Sequence, residues 1–216
     1  MKKLLFIFLF IPLIINAQDY YLHAGKLFDS KDGKILNNMT IIITGKKIKS
    51  VKKGFEFPKN DNDIVIDLKD STVMPGFIDL HVHIESEYNP EKYLNEFTAE
   101  ESEIAFSSLK FAKRTLMAGF TTVRDLGGSG VNISLRNAIN KGEVDGPRIF
   151  TAGKAIGTTG GHADPTNGWK KNIAGNPGPS EGIINGTDDA RKAVRQRYKN
   201  GADVIKITAT GGVMSI

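Results

Sequence analysis

Two histidines, His81 and His83, stand one residue apart within Met74-Pro75-Gly76-Phe77-Ile78-Asp79-Leu80-His81-Val82-His83-Ile84. On a β-strand alternate side chains share a face, so Phe77, Asp79, His81 and His83 point one way and Ile78, Leu80 and Val82 the other. Two neutral imidazoles projecting together make half of a binding site for a divalent metal ion. Lys206 is the second residue with chemical promise. It sits between Ile205 and Ile207 in Asp203-Val204-Ile205-Lys206-Ile207-Thr208-Ala209-Thr210, where an ammonium among apolar neighbours is costly. Two readings remain open. A lysine with a depressed pKa can take up carbon dioxide and become a carbamate able to bridge two metals; alternatively Lys206 pairs with an acid such as Asp79 or Asp125. A third candidate, His162, follows Gly160-Gly161 in a long stretch, 156–186, rich in Gly, Pro and Asn. His23 lies in a peripheral β segment and reads as structural.

The elements that must position these residues follow from periodicity. Short β segments are expected at Tyr20–Phe28, Met39–Thr44, Ile48–Val51 and Ile64–Leu68, with a hairpin turning at Gly45-Lys46. After the histidine strand the pattern becomes helical. Thr98 and Glu101 have capping-box spacing, Ala105, Leu109, Ala112 and Leu116 share one face, and Gly119 ends the helix. A strand at Phe120–Asp125, a helix at Val131–Asn140, a strand at Pro147–Ala155, a helix from Thr187 to Asn200 and a fourth strand at Asp203–Thr210 complete the alternation. Strand alternating with helix implies a parallel sheet whose functional groups gather at the C-terminal strand ends, where His81, His83, Arg124 and Lys206 fall. The glycine-rich pieces complete neither a P-loop nor a dinucleotide fingerprint.

Composition is that of an ordinary globular chain: 216 residues, 40% hydrophobic and 25% charged, with net charge +5. The basic residues are scattered, with no Lys/Arg run interleaved with aromatics, so a nucleic-acid partner is not expected. Residues 1–17 have the layout of a signal peptide: Lys2-Lys3, an apolar run from Leu4 to Ile15, then Asn16-Ala17. As a helix that run spans only about 18 Å, against a hydrocarbon core of about 30 Å. Cleavage after Ala17 is therefore expected, giving an exported, periplasmic or secreted protein with no stable membrane anchor. The absence of cysteine excludes disulfides and thiolate zinc ligands.

Taken together, Pro75-Gly76-Phe77-Ile78-Asp79-Leu80-His81-Val82-His83, Gly119-Phe120-Thr121-Thr122-Val123-Arg124-Asp125, Gly160-Gly161-His162 and Ala202–Ser215 resemble the amidohydrolase superfamily, most closely its prolidase-like and imidazolonepropionase-related hydrolases. The resemblance implies an α/β fold: the N-terminal part of a (β/α)8 TIM-like barrel, about four strands in residues 74–216, preceded by a β-sandwich segment in residues 18–73. It further implies that His81 and His83 bind one metal ion, usually zinc, that carboxylated Lys206 bridges it to a second, and that His162 lies near the substrate. Two metal ions would then activate water for attack on the carbonyl of a small-molecule or short-peptide substrate, in an enzyme expected to be a homo-oligomer at full length. The family also takes two histidines from strands five and six and an aspartate from strand eight, which this sequence does not contain. The chain is accordingly expected to be the N-terminal portion of a longer enzyme, to contain no complete catalytic set, and to be inactive alone. The alternatives are a mononuclear amidohydrolase, such as a deaminase or an imidazolone-ring hydrolase, and a non-catalytic fragment.

Overall fold

The computed structural model describes residues 18–58 and 60–212. The expected signal peptide, residues 1–17, lies outside them, and no helix among the described residues is long and apolar enough to cross a membrane. The chain divides into two compact units, with the boundary between Pro75 and Gly76.

The first unit is a four-stranded sheet of β1 (Asp19–Asp29), β2 (Lys34–Thr44), β3 (Lys47–Lys53) and β4 (Ile64–Val73), in the order β3-β2-β1-β4. Glycine at 45, with φ of 57°, makes the tight β2–β3 hairpin. Strands β1 and β2 are antiparallel, whereas β1 and β4 run parallel. Tyr21, Ala24, Ile41 and Ile42 are buried. His23 is buried too, with Nε2 2.8 Å from the carbonyl oxygen of Glu56, and its ring packs on Phe55. It is a satisfied structural histidine.

The second unit alternates as expected. β5 (Phe77–Val82) leads through α1 (Lys92–Thr98) to α2 (Glu101–Met117); β6 (Phe120–Asp125), α3 (Val131–Lys141) and β7 (Arg148–Thr151) follow, then α4 (Lys171–Ala174) and α5 (Thr187–Asn200). β5, β6 and β7 form one parallel sheet in that order. Ile84, Ala112, Val123, Leu135 and Ile149 make its buried core, drawn from the strands and from the apolar stripes of α2 and α3. The α2 cap is displaced from the expected position: Glu100 is the N-cap, and the Glu103 carboxylate accepts from its backbone N–H at 2.8 Å. Two more differences bear on function. The segment after Gly201 is not a full strand; it joins the sheet through one parallel bridge, Ile156 to Ile207, with Ile156 N–H donating to Lys206 O and Thr208 N–H to Ile156 O, both at 2.8 Å. Apolar Ile78, Leu80 and Val82 suit a strand buried on both sides, but of these only Val82 packs on the core, and Ile78 and Leu80 are 62% and 57% exposed.

Candidate metal centre

Strand β5 ends at Val82, which leaves His81 within the strand and His83 just past it. The two rings stay together, with centroids 5.4 Å apart and planes tilted by 58°. His83 Nδ1 lies 2.9 Å from the carbonyl oxygen of Gly127. A carbonyl only accepts, so Nδ1 carries a proton and Nε2 is left as the atom available to a metal ion. Metal-ligating histidines are commonly fixed in this way. Gly127 reaches the position with φ of 153°, a backbone region that other residues rarely adopt.

His81 is held below the ordinary imidazole pKa, first by partial desolvation, then by the positive charges of Lys206, His83 and Arg124, against the opposing charge of Asp79. His81 is therefore biased to the neutral form that a metal requires. The same field locates Lys206: its charge acts on His81, so the bridge at Ile156 and Ile207 brings the lysine toward the histidine pair. Lys206 is only half-buried, beside exposed Ile205 and Ile207. Among the described residues neither Asp79 nor Asp125 forms an ion pair with it. Asp79 accepts the backbone N–H of His81 at 2.9 Å. Asp125 accepts from Ile84 N–H, Gly127 N–H and Asn132 Nδ2.

His162 stands elsewhere in the loop, exposed, with its ring against the segment that follows Lys206: a Cβ placed on Gly212 would come within 2.5 Å of its Cε1 and Nδ1. Asp164 shapes this loop by accepting from Gly160 N–H, Thr166 N–H and Thr166 Oγ1 at 2.7–2.9 Å. Burial alone would raise its pKa; the hydrogen bonds outweigh burial and hold it below the usual carboxylate value.

Periodicity did not reveal the polar network behind the histidines. Buried Glu85 accepts from Ser129 N–H at 2.6 Å and Asn132 N–H at 2.7 Å, placing a carboxylate at the positive end of α3. Burial, aided by the Glu85 charge and opposed by three hydrogen bonds that lower it, pushes the fully enclosed Asp125 carboxyl up to about 6. The odd-numbered run His81, His83, Glu85 was visible in the sequence; its target, a helix start 44 residues on, was not. In front of His83 opens a cavity of about 870 Å³ with Glu85, Glu87, Glu103 and Phe111 in its walls.

Two imidazoles fit a divalent ion and supply half of a tetrahedral set. No group of three or more His, Cys, Asp or Glu residues suited to a metal occurs among the described residues. A parallel β/α sheet with paired histidines at the C-terminal end of its first strand fits the opening strands of a (β/α) barrel hydrolase. Residues 72–216 match the amidohydrolase family, and the chain belongs to it. Ochratoxinase of Aspergillus niger is 32% identical over 228 aligned positions, covering 94% of this chain and 45% of the fungal protein. A solved Xaa-Pro dipeptidase with methionine bound in its active site superposes with a TM-score of 0.85 at 49% identity, covering 92% of this chain and 48% of that one. A prolidase complexed with N-methylphosphonate-L-proline gives a TM-score of 0.77 at 35% identity over the same shares. The chain thus spans about half the length of these relatives, and its fold is the N-terminal portion of theirs.

Proposed function

We propose that the protein carrying this chain is an exported metal-dependent hydrolase of carbon–nitrogen bonds that cleaves dipeptides, with Xaa-Pro dipeptides as the first substrates to try. The observation that carries this reading is the His81/His83 pair with the His83 tautomer fixed by Gly127. It lies in a chain 49% identical to a Xaa-Pro dipeptidase over nearly its whole length. His81 and His83 would hold one zinc ion, and Lys206, as its carbamate, would bridge to a second. When bound, such ions polarise the scissile carbonyl and lower the pKa of water. The chain's own residues supply the remainder. Gly127 orients one ligand, and His162 contacts substrate from the loop shaped by Asp164.

The test uses full-length protein. Zinc-loaded enzyme should hydrolyse Xaa-Pro dipeptides, lose activity on chelation, and contain close to two ions per chain; Lys206→Ala should lose the second ion and the activity. One ion per chain with Lys206→Ala still active would favour the mononuclear alternative. Export is checked by N-terminal sequencing of the mature protein, which should begin after Ala17.

A further inference from the structure

We infer that the cavity beside His83 is a cation-selective subsite that seats the ammonium or guanidinium side chain of the substrate residue on the amino side of the scissile bond. This deepens the dipeptidase reading and rests on it for the place of the scissile bond. The cavity, about 870 Å³, lies within the range of roughly 300–1,000 Å³ typical of ligand pockets, and a pyrrolidine ring alone would leave most of it empty. Its charge is one-sided. Glu85, Glu87 and Glu103 contribute carboxylates, and no lysine or arginine lines it among the described residues. Two further charges face these groups. Arg114 pairs with Glu87 from an adjoining wall, and Asp125 lies behind Glu85. Among the described side chains the balance stays negative after Arg114 is counted. Glu85 has its oxygens on Ser129 and Asn132 N–H groups and fixes the floor. Glu103 is exposed at the start of α2, with Oε2 on Glu100 N–H, and retains acceptor capacity for a guest. Phe111 supplies an apolar wall for an alkyl stem. A carboxylate entering this space is repelled by Glu85 and Glu103, while Arg114 is already paired with Glu87, so the pocket discriminates by repulsion as well as attraction.

The experiment takes full-length protein stripped of metal and titrates n-butylamine, n-butanol and butyrate, which share one stem, by ligand-observed NMR at pH 7. n-Butylamine should bind at least tenfold more tightly than n-butanol, and butyrate least of all. Glu87→Gln combined with Glu103→Gln should bring n-butylamine down to the n-butanol level. Each glutamine keeps an oxygen for Arg114 or for Glu100 N–H, so the thermal midpoint should hold; each single variant should show a partial loss. Equal binding of the three probes, or amine affinity indifferent to the substitutions, overturns the inference. A second arm compares Lys-Pro with Glu-Pro in metal-loaded enzyme: their kcat/KM ratio should be at least tenfold and collapse in the double variant. Failure to cleave any dipeptide would overturn the dipeptidase reading and leave the amine-binding result standing.

Discussion

At the scale of the residue, Gly127 and Asp125 decide how the histidines are presented. A Cβ on Gly127 would meet His83 Cε1 at 3.4 Å and Ala155 Cβ at 3.8 Å, which are ordinary contacts, so space does not forbid alanine. Its φ of 153° does, at a cost of about 1–3 kcal/mol. Gly127→Ala should relax by turning the carbonyl away from His83 Nδ1, and competition with a chelator should show metal affinity reduced by about 10–100-fold. Unchanged affinity would mean that the Gly127 bond does not orient the ligand. Asp125 carries a pH signature. Its carboxyl titrates at about 6 in the fold, whereas the unfolded chain has the ordinary aspartate value of 3.8. Between those values the unfolded chain releases its proton first, so stability falls as pH rises and the penalty is complete above about 6. It is on the order of 3 kcal/mol. Urea unfolding of chelated protein at pH 4 and pH 7 should show this loss in wild type and a smaller one in Asp125→Asn. Equal losses would exclude Asp125 as its source.

At the scale of the element, the segment bearing Lys206 is positioned by its first residue. Asp203 N–H donates to Thr151 O at 2.8 Å, and Asp203 Oδ2 accepts Thr151 N–H at 2.9 Å and Arg136 Nη1 at 2.6 Å. Arg136 also reaches Gly201 O at 2.8 Å. The side chain of Arg136 is 12% exposed, so this pair is worth more than a surface ion pair. It ties α3, the end of β7 and the Lys206 segment to one point, and the bridge to Ile156 sets the register a few residues later. A double-mutant cycle with Arg136→Ala and Asp203→Ala should give a coupling of about 1–3 kcal/mol. If Lys206 helps to hold a second ion as proposed, Asp203→Ala should also reduce its occupancy by shifting the segment that carries the lysine. Additive effects of the two substitutions would show that the clamp is not a unit.

For the whole molecule, legibility in the sequence followed the range of each interaction. The β/α alternation, the β2–β3 hairpin and the nearness of His81 to His83 come from neighbours a few residues apart, and periodicity conveys them. The α2 cap was displaced because Glu100 and Glu103 satisfy the same box spacing as Thr98 and Glu101. Glu85 under α3, and Asp203 on Thr151 and Arg136, join residues tens of positions apart, which no local pattern encodes. Exposure was the least legible, because an apolar run specifies that it should be covered without naming the cover. Ile78 and Leu80 on β5, Phe150 on β7, and Ile205 and Ile207 on the Lys206 segment are all 41–62% exposed. β5 is an edge of its sheet, with ladder groups open to a new strand. Apolar side chains combined with an open edge favour association. The 216-residue chain expressed by itself should therefore bind a hydrophobic dye strongly and increase in apparent mass with concentration in analytical ultracentrifugation. Ile78→Lys with Leu80→Lys should reduce both effects, since charge on an edge strand opposes pairing. The same pair in full-length protein should destabilise it by several kcal/mol if that face is covered there, because it buries two ammonium groups. Dye binding and mass that are indifferent to the substitutions would show that association proceeds through another surface.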